Sequence, residues 1–260
     1  MIIRHDVDPN LYMIAPEQFS AIIAVDSSLE EVLVTYDQID ELLKPSLVAS
    51  VQPEPEFYTR CDGMGTLIRP DWILSAAHVA AEISLERKIE IAGSAYAIRQ
   101  IVLHPQFCDC SEAVGLAEYD IALIQLEQPV EAITPLPLYR NTDESGKTVT
   151  FAGRGDCGTG LIGPNQVDGK LRIATNRIEQ VDEQRLMFTF DAPPNCTALE
   201  GISGPGDSGG PALIETGGGW AIAGVSSGQK SSNLGEGCYG VQEYYVRVSS
   251  QIEWIESVIG

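Results

Sequence analysis

Short β-branched and apolar stretches, each closed within a few residues by turn-forming Gly, Pro, Asn or Asp, recur along most of this 260-residue chain. With 25 Gly and 15 Pro spread among them, long helices have little room and an all-β fold is favoured. Strands are predicted at 47–52, 64–68, 72–76, 98–103, 121–126, 148–152, 185–190, 211–214, 220–226 and 244–248. A helix is predicted from Ser250 to Val258, because Ile252, Ile255 and Ile259 fall along one side. A second is predicted near the start: Ser28-Leu29-Glu30-Glu31 fits a capping box, and Leu29, Val32, Leu33, Tyr36, Ile39 and Leu43 recur at helical spacing up to Pro45. There is no internal repeat, and no stretch is long and apolar enough to cross a bilayer. The length suits one large domain or two small barrels sharing an interface.

The charge balance excludes one class of partner. With 16 Lys and Arg against 37 Asp and Glu the net charge is −21, so there is no basic surface from which a nucleic acid could displace counterions. Solubility is the first reading of so acidic a surface, and a preference for cationic substrates is the second.

The chemistry is concentrated in Gly204-Pro205-Gly206-Asp207-Ser208-Gly209-Gly210-Pro211. Glycines on both sides of Ser208 remove the Cβ atoms that would crowd a bound substrate, and they let the amides of Gly206 and Ser208 turn toward a developing oxyanion. Taken alone the octapeptide is equally a tight turn between strands. A serine nucleophile also needs a neutral imidazole as base, and the imidazole needs a carboxylate to fix its tautomer. The chain has three histidines. His78 ends the apolar run Trp72-Ile73-Leu74-Ser75-Ala76-Ala77, where its ring can face a cleft, and Asp120 stands at the mouth of Ile121-Ala122-Leu123-Ile124. His5 and His104 have no comparable setting and are read as structural.

These three segments together resemble the signature blocks of the trypsin/chymotrypsin-like serine proteases, in the family's order of His, Asp and Ser. Here 42 residues separate His78 from Asp120 and 88 separate Asp120 from Ser208, against about 45 and about 90 in the family's template. Lesser similarities are Val102-Leu103-His104-Pro105, Val149-Thr150-Phe151-Ala152-Gly153 and Tyr245-Val246-Arg247-Val248, and the resemblance spans about residues 47–260. It implies two six-stranded antiparallel β-barrels, residues 46–138 with His78 and Asp120 and residues 139–260 with Ser208, joined through Thr134-Pro135-Leu136-Pro137-Leu138. It further implies a serine endopeptidase acting on proteins or peptides through an acyl-enzyme. Ser208 would be the nucleophile, His78 the base, Asp120 its orienter, and the amides of Gly206 and Ser208 the oxyanion hole. No metal or organic cofactor is required, and neither nucleic acid nor membrane is an expected partner; proteinaceous inhibitors are. A non-catalytic binding protein or a locked zymogen of the same fold is the alternative.

Departures from the family are informative. The cystine that usually flanks the catalytic histidine is missing, since Gly63 and Val79 occupy the expected sites. Cys196 and Cys238 lie on either side of the nucleophile loop and are the expected bridge, in keeping with a secreted or periplasmic protein, while the pairing of Cys61, Cys108, Cys110 and Cys157 is left open. Cys108-Asp109-Cys110 has no second ligand pair at zinc spacing. Calcium binding near Asp109 to Glu118 is left open.

Family members are activated when a freed Ile or Val amine pairs with the aspartate before the nucleophile, here Asp207. The chain has no Ile-Val-Gly-Gly after a basic residue and no secretory signal. If a leader had been removed, Ile2 or Ile3 would be expected to supply the amine. Residues 1–45 are then a pro-segment, a permanent helical brace or a surface insertion.

For specificity, the resemblance puts Ile202 at the bottom of the pocket for the side chain before the scissile bond, and Ser226-Ser227-Gly228 along the substrate backbone. An ungapped count puts Glu243 on the pocket wall and predicts Lys or Arg; a gap puts Gly240 there and predicts apolar side chains.

Overall fold

The computed structural model describes residues 1–32, 56–109, 117–230 and 235–260. Along the first half run β1 (Ile2–Ile3), β2 (Ile22–Val32), β3 (Glu56–Arg69), β4 (Trp72–Ser75), the helix α1 (Ala77–Glu82), β5 (Lys88–Ile91), β6 (Ser94–Leu103) and β7 (Ala122–Leu126). The second half holds β8 (Thr148–Gly153), β9 (Cys157–Thr159), β10 (Gly163–Gln166), β11 (Arg172–Arg177), β12 (Gln180–Val181), β13 (Arg185–Thr189), β14 (Gly201–Ile202), β15 (Pro211–Thr216), β16 (Gly219–Lys230), β17 (Gln242–Arg247) and the helix α2 (Ile252–Ile259).

Strands β2 to β7 form an antiparallel six-stranded sheet in the order β2-β3-β4-β7-β6-β5, nearly closed into a barrel because β2 comes back against β5. The sequence explains which strands are central. Trp72, Ile73 and Leu74 on β4 and Leu123 and Ile124 on β7 are all buried, whereas β5 alternates, with Ile89 and Ile91 inside and Lys88 and Glu90 outside. A half-barrel of seven strands, β11-β8-β15-β16-β17-β13-β12, forms the second unit. Its core is aromatic: Phe151, Phe188 and Tyr245 meet with ring centroids 4.9 to 5.4 Å apart. A third, four-stranded sheet runs β10-β9-β1-β14, in which β1 pairs parallel to β9 and antiparallel to β14.

The all-β expectation and the C-terminal helix agree with this architecture, and Leu136 and Tyr139 carry the chain from one sheet to the other through backbone bonds to Leu67 and Ile222. The helix expected from Ser28 is corrected where it can be seen. Residues 28–32 are the end of β2, in register with 56–60 of β3; the ladder supplied by β3 overrides a local capping pattern. The rest of that predicted helix, and the strand predicted at 47–52, lie outside the described residues.

One buried ion pair ties the second unit together. Arg247 donates to both oxygens of the fully buried Glu144 at 2.9 and 2.8 Å, and Ser249 adds a bond of 2.6 Å. Burial opposes the charge on Glu144, but these donors outweigh it and hold its carboxyl below the usual 4.5. Replacing Arg247 by alanine leaves that charge uncompensated and is expected to cost about 3–5 kcal/mol, read from urea unfolding at pH 7. Because the folded pKa is depressed, the wild-type advantage is present above the unfolded value and fades as pH falls through the folded one.

Candidate active site

The buried strand β4 delivers the chain directly into α1, whose second residue is His78. The His78 amide donates to Asp120 Oδ1 at 2.8 Å, and its ring Nδ1 lies 2.7 Å from Asp120 Oδ2. A third donor, the Ser227 hydroxyl, reaches Oδ2 at 2.6 Å. Asp120 is fully buried, and these three donors all point at its carboxylate. Burial disfavours the His78 cation, yet the bond and charge of Asp120, with help from Asp109 and Glu82, raise the ring above 6.5.

Asp120 is fixed from behind. Tyr119, at φ 49°, turns the chain into β7, and its ring stacks on His104 at 4.7 Å. The ring of Trp254 from α2 meets His104 in an edge-type contact with centroids 4.8 Å apart, and the His104 amide donates to Ile121 O at 3.0 Å. Burial lowers the His104 pKa and keeps that ring neutral. His5 is exposed and bonds the Tyr239 hydroxyl at 2.8 Å.

Ser208 arrives on a loop that only glycine could build. Gly206 and Gly209 have φ of 85° and 80°, a region that costs any residue with a Cβ. A Cβ on Gly206 would also lie 1.9 Å from the Cys61 carbonyl, and one on Gly209 2.2 Å from the Met64 carbonyl and 2.5 Å from Ser75 Oγ. The loop is therefore pressed against β3 and the end of β4, two residues before α1, and Ser208 O accepts from Met64 N at 2.7 Å. The amides of Asp207, Gly209 and Gly210 bond Gly204, Ser226 and Asp207 carbonyls. Those of Gly206 and Ser208 have no backbone acceptor among the described residues. The half-buried Ser208 hydroxyl makes no hydrogen bond to His78 within the described residues, a looseness common before substrate is bound.

Beside the serine, Asp207 is buried and fully engaged. Its Oδ1 accepts from Gly155 N at 2.7 Å, and its Oδ2 accepts from Gly204 N at 2.9 Å and lies 2.6 Å from the Met1 ammonium. That ammonium also donates to Asp156 O at 2.5 Å. The amine beside Asp207 in this chain is that of Met1, and Ile2 and Ile3 lie in β1 between β9 and β14.

The remaining expected residues separate into two groups. Ile202 is packed with Ile2, Phe190 and Val241. Both backbone groups of Ser226 are taken by the nucleophile loop, Ser227 serves Asp120, and Gly228 pairs with Tyr244. Glu243 is fully buried and accepts from Ser203 N at 3.0 Å, whereas Gly240 has open space around it. Sequence reasoning missed Ser203 and the Met1 amine, and it named Ser227 for the substrate backbone and not as a donor to Asp120; no local motif signals these contacts.

The Cys196–Cys238 bridge is corrected: both are free thiols, as are Cys61 and Cys157. Cys238 is buried toward the Gly163 turn, while the Cys196 loop is tied to β11 through Thr197 and Thr175. Cys110 lies outside the described residues. Among the described residues, no group of three or more His, Cys, Asp or Glu is placed to hold a metal ion.

Comparison with known proteins points to one family. The family model described as Trypsin matches residues 50–255. Chymotrypsin-like elastase family member 1 of Felis catus is 30% identical over 224 residues, covering 78% of this chain and 80% of that protein. Tryptase of Mus musculus is 28% identical over 222 residues, covering 75% and 77%. Vitamin K-dependent protein C of Mus musculus is 27% identical, over 75% of this chain and 46% of that protein. The match over most of the length, on the fold described above, means that the chain belongs to the trypsin family of serine proteases.

Proposed function

We propose that the chain is a serine endopeptidase that cleaves peptide bonds through an acyl-enzyme on Ser208. The observation that carries this reading is the His78–Asp120 pair, a ring whose inner nitrogen is held by a buried carboxylate. That contact fixes the tautomer in which Nδ1 bears the hydrogen and Nε2 is free to accept one.

In the proposed reaction Ser208 Oγ attacks the substrate carbonyl as its proton passes to His78 Nε2. The oxygen of the tetrahedral intermediate is received by the amides of Gly206 and Ser208. His78 then gives the proton to the leaving amine, and water attacks the acyl group by the same route in reverse. Residues 46–138 would supply His78 and Asp120, and residues 139–260 would supply Ser208. A nitrophenyl ester tests the mechanism: a burst of one nitrophenol per enzyme before the steady state is expected, and linear release from time zero contradicts it.

Asp207 is the proposed partner that holds the nucleophile loop in shape, through the Met1 ammonium. Changing Asp207 to asparagine would leave that buried ammonium uncompensated, with a penalty of about 3–5 kcal/mol on the active conformation. Peptidase activity is expected to fall about 10²- to 10³-fold, measured as kcat/KM on the folded variant. Acetylating the Met1 amine of this chain should act in the same direction.

A further inference from the structure

The barrel and the half-barrel share a cavity of about 610 Å³ that Ser208, His78 and Asp120 do not line. Ile22, Ile23, Ile91 and Ile133 give it an apolar wall from the first unit. From the second unit come Arg154 and Gly169, and Cys61 of β3 stands between the cavity and the nucleophile loop, with its Sγ 3.4 Å from Gly206 O. The space is therefore apolar on one side and polar on the other.

Arg154 is half-buried, and its Nη1 donates to Gly169 O at 3.0 Å. Among the described residues, no carboxylate stands at ion-pair distance from it. Asp168, on the same wall, is already engaged, because its two oxygens accept from Arg172 at 2.7 and 2.6 Å. Glu17 and Glu90 also line the cavity, but both are exposed and water screens them. Burial, with the charge of Asp207, pushes the Cys61 thiol up to about 12, so it adds no negative charge. In a chain of net charge −21, this guanidinium beside an apolar wall is a local site for an anion.

We infer that this cavity binds an amphipathic monocarboxylate, with its carboxylate paired to Arg154 and its apolar tail laid against the isoleucine wall. The size agrees, since small-molecule sites span about 300–1,000 Å³ and combine apolar walls with a few placed polar groups. An occupant would also rest on the structure that shapes the nucleophile loop. Gly153 and Gly155, on either side of Arg154, pack against Asp207: the Gly155 amide donates to Oδ1 at 2.7 Å, and a Cβ on Gly153 would lie 2.0 Å from the same oxygen. The site stands apart from the peptidase reading and does not need it.

The test titrates octanoate into the full chain by calorimetry at pH 7. One molecule per chain is expected, with a Kd of about 0.1 mM. Octylammonium, equal in length and opposite in charge, should bind at least about 10-fold more weakly. The field of the whole chain favours the cation, so that order can come only from a local positive group. Arg154→Gln should weaken octanoate about 10- to 100-fold; should that variant fail to fold, the contrast between the two charges on the wild type decides instead. A diazirine-bearing octanoate, photolysed on the protein, should label peptides containing residues 16–24 or 88–92. Acetyl-leucyl-leucine presents the same carboxylate on a peptide end, and the tighter binder of the two names the source as fatty acid or peptide. No saturable binding of either below about 10 mM, octylammonium binding as tightly as octanoate, an unchanged Kd in folded Arg154→Gln, or labelling confined to other peptides overturns the inference.

Discussion

Replacing Ser208 by alanine is expected to lower kcat on a peptide substrate by about 10⁶-fold while leaving KM and the fold nearly unchanged. The hydroxyl is the only group in the proposed site that forms a bond with substrate. The loop geometry that would receive the oxyanion is set by Gly206, Gly209 and the contacts to β3, none of which involve Oγ. His78→Ala should cost about as much, and the double variant little more than either alone, because the two act as one unit. A Ser208→Ala protein that keeps even a hundredth of the wild-type rate would mean that hydrolysis proceeds elsewhere.

The second large effect is expected at Asp120. Asp120→Asn preserves volume but replaces an all-acceptor group with one that has both donor and acceptor sides. The His78 amide and ring Nδ1 and the Ser227 hydroxyl all approach as donors in the wild type. An amide can satisfy only part of this set and favours the ring tautomer whose outer nitrogen already bears hydrogen, so kcat should fall about 10⁴-fold. The pH profile carries a separate signature. Protonated His78 cannot accept the Ser208 proton, so wild-type kcat/KM is lost as pH falls through the ring's pKa, with a midpoint above 6.5. Removing the Asp120 charge leaves burial as the dominant influence, and the midpoint of the residual activity should move down.

The sequence made the site far more legible than its surroundings, and the reason is physical. Ser208, His78 and Asp120 each sit in a local context of small or apolar neighbours that the chemistry demands, and the paired strands β4, β7, β8 and β15 announce themselves as short apolar runs. By contrast, β9, β10 and β14 are short and rich in Gly, with little hydrophobic period to read; β1 joins β9 to β14, and among the described residues β10 pairs only with β9. The Met1–Asp207 pair joins residues more than two hundred positions apart, and no local pattern can signal such a contact. For the pocket wall that the resemblance implies, the sequence left Glu243 and Gly240 open. The irregularity between Ser226 and Gly228 in the β16–β17 ladder sets the register that puts Glu243 opposite Gln229, and a bulge of that kind has no clear sequence mark. The failed capping-box reading at Ser28 shows the reverse case, where a clear local pattern loses to a partner strand more than twenty residues away.

The account stands on an activated hydroxyl at Ser208. Reaction with a neutral organophosphorus ester, followed by peptide mass spectrometry, tests it directly. One phosphoryl group per chain on Ser208, with labelling lost in folded His78→Ala, is the predicted result. A folded wild-type protein that stays unlabelled, or one labelled equally well without His78, would contradict it.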